Sequence, residues 1–215
     1  MFKESGQYFN IWSKEELDEI VEVMKNNPSL TIMQNECRGI DEKHVEYYWF
    51  MEIVYKKIQE LFGEEIQPIF GMYLNETNPW GVHTDAYHCA NFPNRESALS
   101  ILIPLSLDNS VDNLDKGYTI VFNECAYDNK HIPSMPDMSA EENCAVKIHA
   151  EHLSHNSLES LKKLTVRGVY PWTFGSVIYW NSLLFHDSNN FLRYGLHSKQ
   201  ALVIHTYLPK KDVDD

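Results

Sequence analysis

Two periods of apolar residues run along this chain, one helical and one extended. From residue 14 to 26 the spacing of Leu17, Ile20, Val21, Val23 and Met24 predicts a first helix. Ser13, with Glu16 in the capping-box position and Ile11-Trp12 ahead of it, marks its start, and Asn26-Asn27-Pro28 its end. A second helix is expected to begin after Asp41 and run to Leu61, with Val45, Tyr48, Trp49, Ile53, Tyr55, Ile58 and Leu61 on one face and Gly63 as the stop. From Ile66 onward the pattern shortens to strands. Segments rich in β-branched, aliphatic and aromatic residues predict strands over 66–74, 82–87, 98–105, 118–122, 165–170, 175–180, 183–186 and 200–208. This is a mostly β chain, a jelly roll or open barrel braced by flanking N-terminal helices. The interval 123–164 contains Pro133 and Pro136 and is too long for a hairpin loop, so it reads as an insertion and a candidate lid, with a short helix over 156–164.

Composition narrows the picture. The 215 residues are 43% hydrophobic and 13% aromatic, enough for one folded domain: helices over about 1–64, then a β core over about 65–209. No apolar run approaches the ~18 residues of a membrane span, and Met1-Phe-Lys-Glu-Ser-Gly lacks a signal-peptide core, so a cytoplasmic location is expected. A net charge of −13 weighs against nucleic acid as the main partner. Cys37, Cys89, Cys125 and Cys144 form no Cys-x-x-Cys pair and read as free thiols.

The chemistry is concentrated at His83-Thr84-Asp85 and at His186, 101 residues after Asp85, which follows the strand-like run Ser176 to Phe185. In an extended segment residues i and i+2 share a face, so His83 and Asp85 are placed to grip one ion. Two imidazoles and one carboxylate on a single face of a ferrous ion leave the opposite face open to oxygen and an oxidisable co-substrate. His83, Asp85 and His186 are therefore the candidate metal ligands and catalytic residues.

The order of a strand, His83-Thr84-Asp85, two core strands, Gly175-Ser-Val-Ile-Tyr-Trp, Phe185-His186 and a basic residue opening the last strand resembles the 2-oxoglutarate and Fe(II)-dependent dioxygenases, most nearly their prolyl-hydroxylase-like branch. The resemblance covers roughly residues 66 to 208 and implies a double-stranded β-helix (jelly roll, cupin-like). It further implies Fe(II) as cofactor and 2-oxoglutarate as co-substrate, with O2 consumed, succinate and CO2 released, and a peptide or small-molecule substrate hydroxylated. A basic residue near the start of the last strand then meets the far carboxylate of the co-substrate. Lys199, 13 residues after His186, and Arg193, seven after it, are the two candidates, with Lys199 favoured because Arg193 lies in a polar loop. Tyr73 either hydrogen-bonds the same carboxylate, as the resemblance implies, or packs as a core tyrosine. Tyr87 and His88 are placed to face substrate, and Trp180 and Tyr118 to fill the core.

His149, His152 and His155 recur every third residue but lack a completing carboxylate pattern, and read as a solvated stretch. No Gly-x-Ser-x-Gly elbow, phosphate loop or Gly-x-Gly-x-x-Gly is present. Two alternatives stay open: a cupin-like iron enzyme that does not use 2-oxoglutarate, and a non-enzymatic β-sandwich binding module.

Overall fold

The computed structural model describes residues 5–26, 31–32, 37–40, 47–86, 95–125 and 142–209. In chain order the described elements are β1 (Ser5–Tyr8), α1 (Lys14–Asn26), β2 (Thr31–Ile32), β3 (Arg38–Ile40), α2 (Tyr47–Phe62), β4 (Gln67–Glu76), β5 (Arg95–Leu107), β6 (Tyr118–Cys125), α3 (Leu158–Leu161), β7 (Val166–Pro171), β8 (Val177–Asn181), β9 (Leu184–Ser188) and β10 (Lys199–Pro209). The strands form a seven-stranded sheet, β1-β8-β5-β10-β4-β3-β2, and a three-stranded sheet, β7-β6-β9. All pairings are antiparallel. The two sheets sandwich a shared core and, among the described residues, are not hydrogen-bonded into a closed barrel.

Strand alternation explains the layers. On β10, Leu202 and Ile204 point to one side with Ile101 and Ile103 of β5, Val177 and Tyr179 of β8 and Tyr73 of β4, and pack beneath Leu17, Ile20 and Met24 of α1 and Ile58 and Phe62 of α2. Each such aliphatic side chain, fully buried, is worth roughly 1.5–3 kcal/mol. The other side of the same strands, Met72, Leu74, Leu102, Ile178, Trp180, Ala201 and Val203, meets Val121 of β6, Leu184 of β9 and Trp172 from the smaller sheet. A third cluster joins Ile120 and Phe122 on the outer side of the small sheet to Ala145, Leu153, Leu161 and Leu164. The described half of the long insertion, residues 142–164, is thus a fixed cover on the small sheet. The short helix expected there is α3, capped by Ser157, whose side chain accepts from Ser160 N.

The helix starts follow their local signals. Ser13 N donates to Glu16 Oε2 at 2.9 Å and Glu16 N to Ser13 Oγ at 3.2 Å, the reciprocal capping box expected at the start of α1. Lys57 of α2 reaches across to Ile11 O at 2.8 Å and Glu16 Oε2 at 2.9 Å, binding the two helices together. Gly63 ends α2 with φ of 95°. Residues 41–46, where the second helix was expected to begin, lie outside the described residues.

Two expectations change. The segment 82–87 is not a strand: of its described residues only His83 makes a bridge, and Tyr87 falls outside them. Conversely, β1, β2 and β3 add to the large sheet, so the N-terminal region supplies strands as well as helices. These strands are two to four residues long and β1 is polar, so alternation could not announce them. No helix among the described residues is long and apolar enough to cross a membrane.

Gly175 joins the layers: it has φ of 69°, its carbonyl accepts from Ile11 N at 2.9 Å and Trp12 N at 3.1 Å, and an added Cβ would lie 2.4 Å from Trp12 O. Gly175→Ala should destabilise the protein by about 1–3 kcal/mol through strain at positive φ, with further loss from the backbone clash. Urea denaturation measures this, and an unchanged midpoint would refute the assignment.

Candidate metal centre

The centre is assembled by backbone pairing. His186 sits in β9, one edge of which pairs with β6 through Val121. On its other side His83 N donates to His186 O at 3.1 Å and His186 N to His83 O at 2.9 Å, an antiparallel bridge. Directly opposed residues of such a bridge project to the same face. The two imidazoles accordingly lie with ring centroids 4.3 Å apart. Asp85 N donates to Ser182 O at 3.0 Å, which anchors the next residues over the turn between β8 and β9. The Asp85 carboxylate then reaches 3.4 Å from His186 Nε2 and 3.9 Å from His83 Nε2.

One donor atom from each of His83, Asp85 and His186 lies within 4.8 Å of the others. Donors about 2.1 Å from a common ion and at right angles stand about 3 Å apart, so a slight contraction brings all three onto one ion. Both histidines are prepared for that role. His83 Nδ1 lies 2.9 Å from Gly81 O and His186 Nδ1 3.2 Å from Leu184 O, so each Nδ1–H donates to a carbonyl and leaves the Nε2 lone pair facing Asp85.

Burial, the largest influence on His186, pushes its imidazole down to about 4 against the pull of Asp85, and the imidazole is neutral at pH 7. His205 is lowered for the same first cause. Burial pushes the Asp85 carboxyl up, but His186, His205, His83 and a Ser100 hydrogen bond outweigh it and hold the group well below the usual carboxylate range. The protonation state is that of a metal-binding set: one carboxylate and neutral imidazole.

A cavity of about 710 Å³, including its open mouth, reaches the three residues. Its walls are largely apolar: Phe70, Met72, Leu74, Leu102, Trp180 and Val203, with Trp80 at 41% exposure. At one end lie Lys199, Glu76 and Ser188. Lys199 Nζ is 2.7 Å from Glu76 Oε2 and donates to Ser188 Oγ at 2.9 Å. His205 stands 3.9 Å from Asp85 Oδ2 and 3.3 Å from Ser100 Oγ, while the Trp180 ring lies 4.5 Å from that of His186.

The cover supplies supports behind the centre. Asp187, next to His186, accepts from Asn156 Nδ2 at 2.6 Å and lies 2.9 Å from His155 Nε2. His155 Nε2 is also 2.9 Å from Trp80 O, and Asn156 Oδ1 accepts from Val82 N at 3.1 Å. The 80–83 segment and β9 are thus clamped by one pair of side chains.

The fold has known counterparts. No family model and no curated protein matches the sequence, but solved structures match the fold. The non-heme α-ketoglutarate-dependent carbocyclase SnoK from nogalamycin biosynthesis superposes with a TM-score of 0.55 at 12% identity, over 99% of this chain and 84% of that one. The epimerase SnoN of the same biosynthesis gives 0.54 at 10%, over 96% and 78%. The viral collagen prolyl hydroxylase of Paramecium Bursaria Chlorella virus-1 gives 0.51 at 9%, over 98% and 91%. The chain has the 2-oxoglutarate–iron oxygenase fold.

Within that fold the sequence-predicted residues separate. His83, Asp85 and His186 converge, and Lys199 lines the cavity. Tyr73 does not: it opposes Leu202 in the β4–β10 register and packs in the helix-side core, whereas Phe70, Met72, Leu74 and Glu76 face the cavity. Tyr73 is placed as a core tyrosine and is not part of the cavity lining. Arg193 is exposed on the short turn Phe191–Tyr194 and is not part of the cavity lining. Trp180 is buried as expected but is also a cavity wall, and Tyr118 is half-buried against His152. His149, His152 and His155 are half-buried and separately engaged rather than solvated: His149 with Asn156 O at 3.1 Å, His155 with Asp187. Cys37, Cys125 and Cys144 are free thiols, while Tyr87, His88 and Cys89 lie outside the described residues. His205, Glu76, His155, Asn156 and Asp187 were not foreseen. The odd-numbered face of β10, shared by Lys199 and His205, was the available signal for His205.

Two outcomes follow. In metal-free protein the lowered His186 pKa means that the unfolded chain binds the extra proton first, so stability falls as pH drops from about 6.5 towards 4, on the order of 3 kcal/mol from this residue. His186→Gln should flatten that part of a stability–pH profile; an unaltered slope would show that His186 is not buried neutral. Asn156→Ala should weaken Co(II) or Fe(II) binding by about tenfold, read by metal titration, because it removes a support of both ligand segments.

Proposed function

We propose that this protein is an Fe(II)- and 2-oxoglutarate-dependent dioxygenase that hydroxylates an organic substrate, a peptide or a small molecule, in a single domain. The observation that carries the reading is the meeting of His83, Asp85 and His186 in the wall of an apolar cavity that a buried lysine also lines. The donor set suits a ferrous ion, since mixed imidazole and carboxylate ligands on one face leave positions open for a chelating oxo acid and oxygen. Bound there, iron supplies the oxygen-activating redox chemistry, coupled to decarboxylation of 2-oxoglutarate to succinate and CO2.

The chain's own residues do the rest. Gly81 O and Leu184 O fix the two imidazoles in the tautomer that presents Nε2. Asp85 brings the single negative charge. The Trp180 indole Nε1–H is buried without a partner among the described residues and sits in the cavity wall beside His186, a donor for an oxygen atom of a bound group. Phe70, Met72, Leu74 and Leu102 keep the cavity dry, which limits side reactions and strengthens polar contacts inside it. Lys199, already ion-paired with Glu76, is the cation that a far carboxylate would meet. Trp80 and His83, with rings 5.5 Å apart, both line the cavity and offer a surface for a substrate beside the candidate ligands.

One observation favours a second reading, a cupin-like iron enzyme that does not use 2-oxoglutarate: Lys199 is already paired with Glu76. The two readings separate in an anaerobic titration with Fe(II) and 2-oxoglutarate, watched for the absorption band of their chelate. Under the first, the band forms, Lys199→Ala weakens it, and succinate is released when oxygen and a turned-over substrate are added. Asp85→Ala or His186→Ala should reduce Fe(II) affinity by at least about 100-fold and abolish succinate release. Retention of tight Fe(II) binding by either variant would remove the proposed ligand set.

A further inference from the structure

We infer that Glu76 is an internal carboxylate seated on the anion-binding end of the cavity, and that it thereby determines which 2-oxo acids the site accepts. The inference rests on the oxygenase reading and adds a specificity-determining residue to it. Glu76 is the last residue of β4 and stands opposite Lys199, the first of β10, in the sheet register. Their side chains are only 3% and 8% exposed and meet at 2.7 Å. The three preceding side chains on the same face of β4, Phe70, Met72 and Leu74, are apolar, so a carboxylate at this position is the exception.

The consequence is a matter of charge. A lysine ammonium has three donors. Here the ammonium forms an ion pair with Glu76 Oε2 and donates to Ser188 Oγ at 2.9 Å, while the Trp172 ring lies 6.0 Å away. The pair is net neutral. The nearby Asp187 carboxylate, also in the cavity lining, is taken up by Asn156, His155 and Ser188 N. This end of the cavity therefore carries no surplus positive charge. A second carboxylate arriving at Lys199 must displace Glu76 or share its ammonium, and either costs Coulomb energy in a place where water screens little. A dicarboxylic oxo acid consequently gains little over a monocarboxylic one with the same chelating head. A neutral hydrogen-bonding group at position 76 frees the lysine for the incoming carboxylate.

The test uses the full chain loaded with Mn(II), titrated by calorimetry with 2-oxoglutarate and, separately, with 2-oxobutyrate. Wild-type protein should bind the two within about threefold of each other, and Glu76→Gln should bind 2-oxoglutarate at least about tenfold more tightly with 2-oxobutyrate little changed. Wild-type preference for 2-oxoglutarate by tenfold or more overturns the inference without any substitution, and so does a folded Glu76→Gln protein that gains no affinity. If Mn(II) binds but neither oxo acid does, in either protein, the oxo-acid reading itself falls and takes this inference with it. A failure confined to Glu76 looks different: both acids bind, and the residue at position 76 makes no difference.

Discussion

The reciprocal hydrogen bonds between the backbones of His83 and His186 bring together two residues separated by more than 100 positions and orient their side chains to one face. A side-chain contact alone would leave each imidazole several rotamers. The bridge fixes both Cα–Cβ directions first, and the carbonyls of Gly81 and Leu184 then fix each ring. Asp85 completes the set because its own N–H is held by Ser182 O, at the turn entering the strand that carries His186. The centre is thus a property of one sheet edge and one irregular segment paired to it.

Everything around that edge limits its freedom. The larger sheet is buried on both faces, by helices on one side and the smaller sheet on the other, and its central strand β10 pairs along nearly its whole length with β4 and β5. Residues 142–164 cover the small sheet from outside and send His155 and Asn156 to hold Asp187, Trp80 and Val82. A segment whose length suggested a closing lid serves, in its described half, as a brace. Such supports tend to matter almost as much as ligands, since they decide whether donor atoms keep their positions when no ion is present.

Charge inside the cavity is balanced at two separate places. Near the candidate metal centre a lone carboxylate is surrounded by imidazoles, an arrangement with room for a cation. At the far end a lysine and a glutamate neutralise each other. Buried ions need partners, and a protein that supplies the partner internally has less to offer an incoming ligand. The same pair that stabilises the end of the β4–β10 ladder therefore bears on what the cavity binds.

Much of this was legible in the amino-acid order. Alternation located seven of the core strands, the Ser13–Glu16 box located the first helix, and the residue types of His83, Asp85 and His186 marked them as candidate ligands. These are local signals, set by backbone periodicity and by donor atoms. What the order of residues left undecided was facing and pairing. Tyr73 and Leu74 are adjacent, yet the register of β4 against β10 sends the first to the helices and the second to the cavity. His83 was assigned to a strand, but one bridge to β9 is what aims it. Glu76 gave no local sign of its role, because only the strand register places it on Lys199. A one-residue change of register reverses every side chain of a strand, and register is fixed by contacts between segments far apart in the chain. Sequence alone therefore specified the elements and the candidate ligands, and tertiary structure alone chose which side chains share the cavity.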